Sequence, residues 1–328
     1  MKIVILGNTN NPITRKKDDP YSWFVLTFNQ GSKLLGHDVF MIDYRSTPID
    51  IIKQKLYDIK PDIMFTHLTF HLGIKPLDVI MQLYSDIKKK CGTKVIHITM
   101  DARKDDRYMD DLSDSFYMAF VGNYEMLERG RKAWNIPAYY TPYSSLCYDK
   151  MSAPSNDLSF TEPVFTGSPN SHPDRSDFIQ KLQKKIPIRI FQTQSKNDLR
   201  HRTPELSSSA KCILGLCTGY DVEGFHDVRY WQFLGTGACF IARKFTNTED
   251  LIPENLYFGF DGYGNDAVES VIEYHKRALK ENTNQMQQKA FDFIQKYHSC
   301  KARMNDMLDA IEGKKEIPFD FYNYLNFI

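Results

Sequence analysis

The sequence predicts an α/β protein of two Rossmann-like domains, each a parallel sheet with helices on both faces. Three observations carry that expectation. Strand and helix patterns alternate twice along the chain, a Pro/Ser/Asn-rich stretch separates the two alternations, and 328 residues suit two domains better than one. The first alternation opens with the strand-like Lys2–Gly7, followed by a loop over 8–21. A helix fits 22–35 and stops at Gly36, and 36–45 supplies a second strand. Apolar runs at 62–66, 94–99, 118–121 and 137–141 read as further strands, with helices near 48–58, 76–90 and 123–133 between them. The break is MSAPSNDLSFTEP at 151–163, whose prolines and small polar residues suit a linker. The second alternation runs through a strand at 164–166, a helix at 174–185, a strand at 188–192, a central stretch at 211–244, and helices near 265–280 and 283–297. The expected division is therefore 1–150 and 164–310 joined by the linker 151–163. A tail at 311–328, rich in Phe, Tyr and Asn, is expected to pack back on the first domain.

Composition narrows the function classes. A formal net charge of +1 argues against a chain-wide attraction to nucleic acid or anionic membrane, though not against a local basic patch. No apolar run approaches about 18 residues, so no transmembrane segment is expected. The N-terminus turns polar too soon for a signal peptide and reads as the first strand. The six cysteines show neither C-x-x-C nor Cys/His zinc spacing, which points to reduced, buried thiols and a cytoplasmic protein. The 22 Phe and 19 Tyr fit sugar-stacking surfaces and ordinary core equally well.

The central stretch, KCILGLCTGYDVEGFHDVRYWQFLGTGACFIARK, reads as buried strand, loop, short helix, glycine stop and buried strand. Asp227 suits the helix N-cap, and Gly235 and Gly237 offer conformations that end it. At 100° per residue Val228, Trp231, Leu234 and Gly235 share the sheet-facing arc. Arg229 and Gln232 lie on an adjoining arc, at the sheet edge where open α/β folds place ligands. An Arg can clamp a phosphate and a Gln can bond a ribose hydroxyl, but the same pair also fits a solvated helix face. A second candidate is Val164-Phe165-Thr166-Gly167-Ser168-Pro169-Asn170, a strand entering a glycine turn before a helix that carries Arg175. Such a turn can present amides and a helix N-terminus to an anion, or it can simply end a strand. Neither G-x-x-x-x-G-K-[ST] nor a G-x-G-x-x-G after Gly7 occurs, so ordinary ATPase and dinucleotide readings lose support.

These motifs resemble the donor-site segments of GT-B glycosyltransferases, and most closely the spore-maturation (CgeB-type) group. Arg229, Gln232 and Gly237 fall on that family's Arg, Glu and Gly; Gly167, Ser168 and Arg175 fall on its earlier Gly-Ser turn and following Arg. The tract from His298 to Arg303 resembles a terminal His-Ser…Arg element with a packing role. The departure is Gln232 in place of Glu. The resemblance implies two Rossmann-like domains facing across a cleft, and a metal-independent hexosyl- or pentosyltransferase with no cofactor beyond a nucleotide-sugar co-substrate, most simply UDP-linked. It implies a donor bound by Gly167, Ser168, Asn170, Arg175, Arg229, Gln232 and Gly237. A catalytic base would come from the first domain, with Asp101 ranked ahead of Asp19. An acceptor would meet the basic-aromatic first loop and its surroundings through Arg15, Lys17, Trp23 and His71. The acceptor expected is a hydroxyl on carbohydrate, lipid or protein; a phage-type nucleic acid base is a less favoured partner. The alternatives are a nucleotide-sugar binder without transfer activity, kept open by Gln232, and a non-hydrolysing epimerase-like protein.

Overall fold

A computed structural model of the chain describes residues 1–9, 23–67, 76–100, 108–152, 160–191, 196–217 and 221–314. Contacts divide it into two units. The first comprises Met1–Tyr143, the short piece Val222–Phe225 and the helix that begins at Cys300; the second comprises Ser144–Asp221 and His226–Ser299.

In the first unit β1 (Lys2–Gly7), β2 (Asp38–Asp43), β3 (Ile63–Thr66), β4 (Lys94–Thr99), β5 (Met118–Val121) and β6 (Ala138–Tyr140) form a parallel sheet in the order β2-β1-β3-β4-β5-β6. Its helices are α1 (Trp23–Leu34), α2 (Ile49–Ile59), α3 (Leu77–Cys91), α4 (Tyr108–Leu112) and α5 (Tyr124–Ala133). Ile3, Val4 and Ile5 of β1 are all fully buried, as an apolar run covered on both faces requires. Ile3, Ile5, Phe28, Phe65 and Ile96 share one core with Met304, Met307, Leu308 and Ile311 from the end of the chain. Each such side chain contributes about 1.5–3 kcal/mol by leaving water.

The second unit holds β7 (Val164–Thr166), β8 (Arg189–Phe191), β9 (Ile213–Gly215), β10 (Phe240–Arg243) and β11 (Phe258–Phe260), parallel in the order β11-β10-β9-β7-β8. Around them lie α6 (Pro173–Gln183), α7 (Lys196–Ser209), α8 (Val228–Leu234), α9 (Asn265–Lys280) and α10 (Asn284–Tyr297), while α11 (Cys300–Ile311) closes the first unit.

Both boundaries differ from the sequence division, for identifiable reasons. Residues before the expected linker already bond within the second unit: the amide of Ser145 donates to the His298 carbonyl at 2.9 Å and that of Ser152 to Thr236 at 3.0 Å. At the other end, α11 puts Met304, Met307, Leu308 and Ile311 on one helical face, and that face completes the first core rather than the second. Gly31 makes the crossing possible, since a Cβ there would lie 2.3 Å from the Cys300 carbonyl oxygen. The tail from 315 onward, expected to pack on the first domain, lies outside the described residues. No helix among the described residues is long and apolar enough to cross a membrane.

Among the elements that the sequence pattern does not mark are α7 and β11. Helix α7 contains Pro204 and a serine run, both poor helix signals, yet Ser207 and Ser209 donate back to the carbonyls of Thr203 and Glu205. Strand β11 is three residues long, too short for alternation to show.

Candidate functional site

In each sheet the strand order reverses beside the first strand, so the switch points fall between β1 and β3 and between β7 and β9. The Gly167–Ser168 turn leaves β7 at the second of these, and Cys217 follows β9 there. Three arginines gather around this edge. Arg175 comes from the first turn of α6, Arg229 from the first turn of α8 and Arg243 from the last position of β10. All three act electrostatically on the buried Cys217 thiol, pulling against the burial that pushes it well above its ordinary value.

Arg229 is the best-defined member. Its side chain is 18 % exposed. Nε donates to the Thr166 carbonyl at 3.2 Å, while Nη1 donates to both carboxylate oxygens of Asp227 at 3.1 and 3.0 Å. Asp227 also caps the helix, accepting from the Arg229 amide at 2.8 Å. Burial works against the Arg229 charge, but the Asp227 carboxylate more than offsets it and holds the guanidinium firmly ionised. The remaining nitrogen, Nη2, stands over the glycine turn, only 2.7 Å from where a Cβ on Gly167 would sit.

Arg175 is 4 % exposed and donates from Nη1 to the Ser168 carbonyl at 3.1 Å. Its pKa is lowered, first by burial and next by the like charge of Arg229. Two guanidiniums held close enough to oppose each other's charge are an arrangement that an anion relieves. Arg243, 6 % exposed, lies 4.0 Å over the ring of Tyr263, whose hydroxyl donates to the Cys217 carbonyl at 2.8 Å. Among the described residues no group of three or more His, Cys, Asp or Glu side chains is placed to hold a metal ion.

The sequence-predicted donor residues thus separate. Gly167, Ser168, Arg175 and Arg229 come together. Of the backbone N–H groups that the glycine turn was expected to offer an anion, that of Gly167 itself donates to the Phe191 carbonyl at 3.1 Å. What the glycine supplies is space for Arg229 and its own φ of 125°. Gln232 is 8 % exposed, one turn along α8 from Arg229, so it sits inside the packing rather than on a solvated rim. The helix is wrapped on nearly every side, with Tyr230 through Leu234 all buried. Asn170 is exposed and accepts from the Ser176 hydroxyl at 3.3 Å. Gly237 lies past the far end of α8. There its φ of 78° ends the helix, its carbonyl accepts from Gln287 at 2.8 Å, and a Cβ would strike Met151.

Trp23, expected among the acceptor contacts, is 5 % exposed at the start of α1, so its ring belongs to the first unit's packing. Arg15, Lys17, Asp19, His71 and Asp101 lie outside the described residues. His298 is fully buried, 4.8 Å from the Trp231 ring, and Arg303 is buried too.

Arg243 is not among the residues expected to meet the donor, although its place at the end of a strand suits either a diphosphate or solvated surface. Strand alternation held the signal. Cys239 and Ile241 face the second core, and Arg243 follows them at period two. Lys244, by contrast, pairs with Glu254 at 2.6 Å. A cavity of about 310 Å³ beside β11 is lined by Lys244, Tyr257, Phe258, Tyr274 and Arg277 but not by Arg175 or Arg229. Its cations are paired with Glu254 and Glu281, which suits it poorly to an anion.

No protein-family profile matches the sequence. No curated protein matches it either. Solved structures do. A glycosyltransferase from Rickettsia africae aligns with a TM-score of 0.59 at 12 % identity over 95 % of this chain and 97 % of its own. T4 phage β-glucosyltransferase, solved with UDP and Mn2+, aligns at 0.55 and 14 % identity over 95 % and 99 %. Sucrose-phosphate synthase from Thermosynechococcus elongatus aligns at 0.59 and 8 % identity over 96 % and 100 %. The chain therefore has the GT-B type of fold, two Rossmann-like domains, that its motifs led one to expect.

Proposed function

We propose that this protein is a glycosyltransferase that moves a sugar from a nucleotide diphosphate donor, most simply a UDP-sugar, to a hydroxyl acceptor. The observation that carries the reading is the convergence of Arg175 and Arg229 on the Gly167–Ser168 turn, at the switch point of the second sheet. In support, similar structures include T4 phage β-glucosyltransferase in complex with UDP and Mn2+ and the Anabaena protein HepE in complex with UDP and glucose.

In this reading the acceptor hydroxyl attacks the anomeric carbon, and the bond from that carbon to the diphosphate oxygen breaks. Negative charge grows on the departing diphosphate, where preset guanidiniums stabilise it most. Arg229 Nη2 and the Arg175 guanidinium take the phosphate oxygens, with the exposed Ser168 beside them. Arg243 adds long-range positive potential from beneath. The buried Gln232 amide, which both donates and accepts, takes a ribose hydroxyl. The acceptor proton passes to a carboxylate of the first domain, with Asp101 and then Asp19 as candidates. Arg15, Lys17 and His71 remain candidates for acceptor contacts. Arginines rather than a divalent ion are proposed to neutralise the diphosphate, so turnover should survive EDTA. The motif placement favours the spore-maturation type of transferase within the fold.

The test is release of UDP from UDP-sugars, with a thermal-shift screen across UDP-, GDP-, dTDP- and CMP-sugars. Binding together with slow donor hydrolysis supports the transferase. Binding without any turnover, even with acceptors supplied, supports the second reading, a nucleotide-sugar binder. Gln232, which replaces a family carboxylate with a neutral buried amide, is the observation that keeps that reading alive.

A further inference from the structure

Two residues before the Asp227 cap, the chain is not in the second unit at all. Val222–Phe225 belongs to the first unit, and His226 resumes the second. The visiting segment is gripped there. The amide of Tyr124, at the start of α5, donates to the Glu223 carbonyl at 3.0 Å. The hydroxyl of Tyr140, the last residue of β6, donates to the Gly224 carbonyl at 2.5 Å. The rings of Tyr124 and Tyr140 pack 4.9 Å apart. Gly224 has a φ of 72°, and a Cβ there would lie 2.9 Å from the Tyr124 ring. Position 224 thus requires glycine both for its backbone and for its neighbour.

The span from this seat to the donor site is short. Only Phe225 and His226 separate Gly224 from Asp227. Both are buried, and His226 is wedged among the rings of Tyr230, Trp231 and Phe245. Three residue steps reach at most about 10 Å, which caps how far Gly224 and the Asp227 cap can part. Asp227 at the far end fixes Arg229 through two Nη1 contacts and the helix cap.

We infer that Tyr140 is a positioning residue for the donor site. Its hydroxyl holds the Gly224 carbonyl, and the two-residue span passes that restraint through Asp227 to the Arg229 guanidinium. The inference rests on the proposed function, in which Arg229 binds the donor diphosphate, and it adds a requirement. A residue of the first unit sets how well the second unit binds the nucleotide. Linkage makes the effect mutual, so a bound diphosphate tightens the seat of Val222–Phe225.

Calorimetric titration of the full chain with UDP tests this. Tyr140→Phe keeps the ring and removes the one hydroxyl, and UDP affinity is expected to fall about fivefold, the worth of an ordinary hydrogen bond. Insertion of one glycine between Phe225 and His226 lengthens the span without deleting a contact. It is expected to weaken UDP by a similar factor, and in that background Tyr140→Phe should have no further effect on affinity. A merely structural role for Tyr140 would give the same loss in both backgrounds and would overturn the inference. Should Tyr140→Phe fail to fold, the insertion alone decides, and unchanged UDP affinity rejects the coupling. Failure of the two readings is distinguishable. If the wild type binds UDP, Arg229→Ala abolishes binding and neither tether variant matters, only this inference falls. If the wild type does not bind UDP, the donor-site reading falls and takes this one with it.

Discussion

Replacing Arg229 with lysine separates the charge at the donor site from its geometry. The guanidinium uses Nε on the Thr166 carbonyl and Nη1 on Asp227, which leaves Nη2 over the Gly167 turn. A lysine ammonium keeps the positive charge and can remain beside Asp227, but one nitrogen cannot reach three places. Asp227 keeps its helix cap through the backbone amide, so folding stability should change by only about 1 kcal/mol. The ligand effect is larger. Loss of one charge-assisted hydrogen bond to phosphate costs about 1.5–3 kcal/mol, or roughly 10- to 150-fold in Kd. Calorimetry with UDP measures the affinity, and a urea melt of the same sample measures stability. An Arg229→Lys protein that binds UDP within about twofold of wild type would refute the claim that Nη2 faces the diphosphate.

Other consequences follow from the same geometry. Gly167→Ala must place a Cβ 2.7 Å from Arg229 Nη2 on a backbone with φ of 125°; a stability loss of about 1–3 kcal/mol and a collapse of UDP affinity are expected. Gly31→Ala drives a Cβ into the Cys300 carbonyl oxygen and should lower stability by about 1–3 kcal/mol in a urea melt, since backbone rather than a flexible side chain must yield. Asp110 is held below the ordinary carboxylate range, first by Arg129 and also by the Trp134 indole N–H at 3.0 Å. Its contribution is present above its unfolded pKa of about 3.9 and disappears as pH falls through the lower folded value. Asp110→Asn should lose that acid-side component, so a mutant with the wild-type pH profile below pH 4 would contradict it.

The parallel sheets were readable because buried parallel strands leave unbroken apolar runs, as in Ile3–Leu6 of β1 and Phe240–Ala242 of β10. Membership of the last helix was not readable, because Met304, Met307 and Ile311 show only that α11 has an apolar face. Which sheet that face meets depends on Gly31, hundreds of residues away in sequence. At the site, Arg175 and Arg229 could be picked out from their places in the first turns of helices that follow strands. Gln232 was misjudged as a rim residue because helical arcs assume one covered face, whereas α8 is covered nearly all round. Gly237 was credited with binding although its conformation serves the helix end. The anchoring of Gly224 by Tyr140 joins positions 84 apart, and no local pattern in the sequence marks it.

The measurement that bears most directly on the arginine site is a paired titration of the full chain with UDP and with uridine, which differ only in the diphosphate. Arg175 and Arg229 at the Gly167 turn predict that UDP binds and that uridine binds at least about 100-fold more weakly, with inorganic pyrophosphate competing against UDP. Equal affinity for UDP and uridine, or no binding of UDP, would contradict the account.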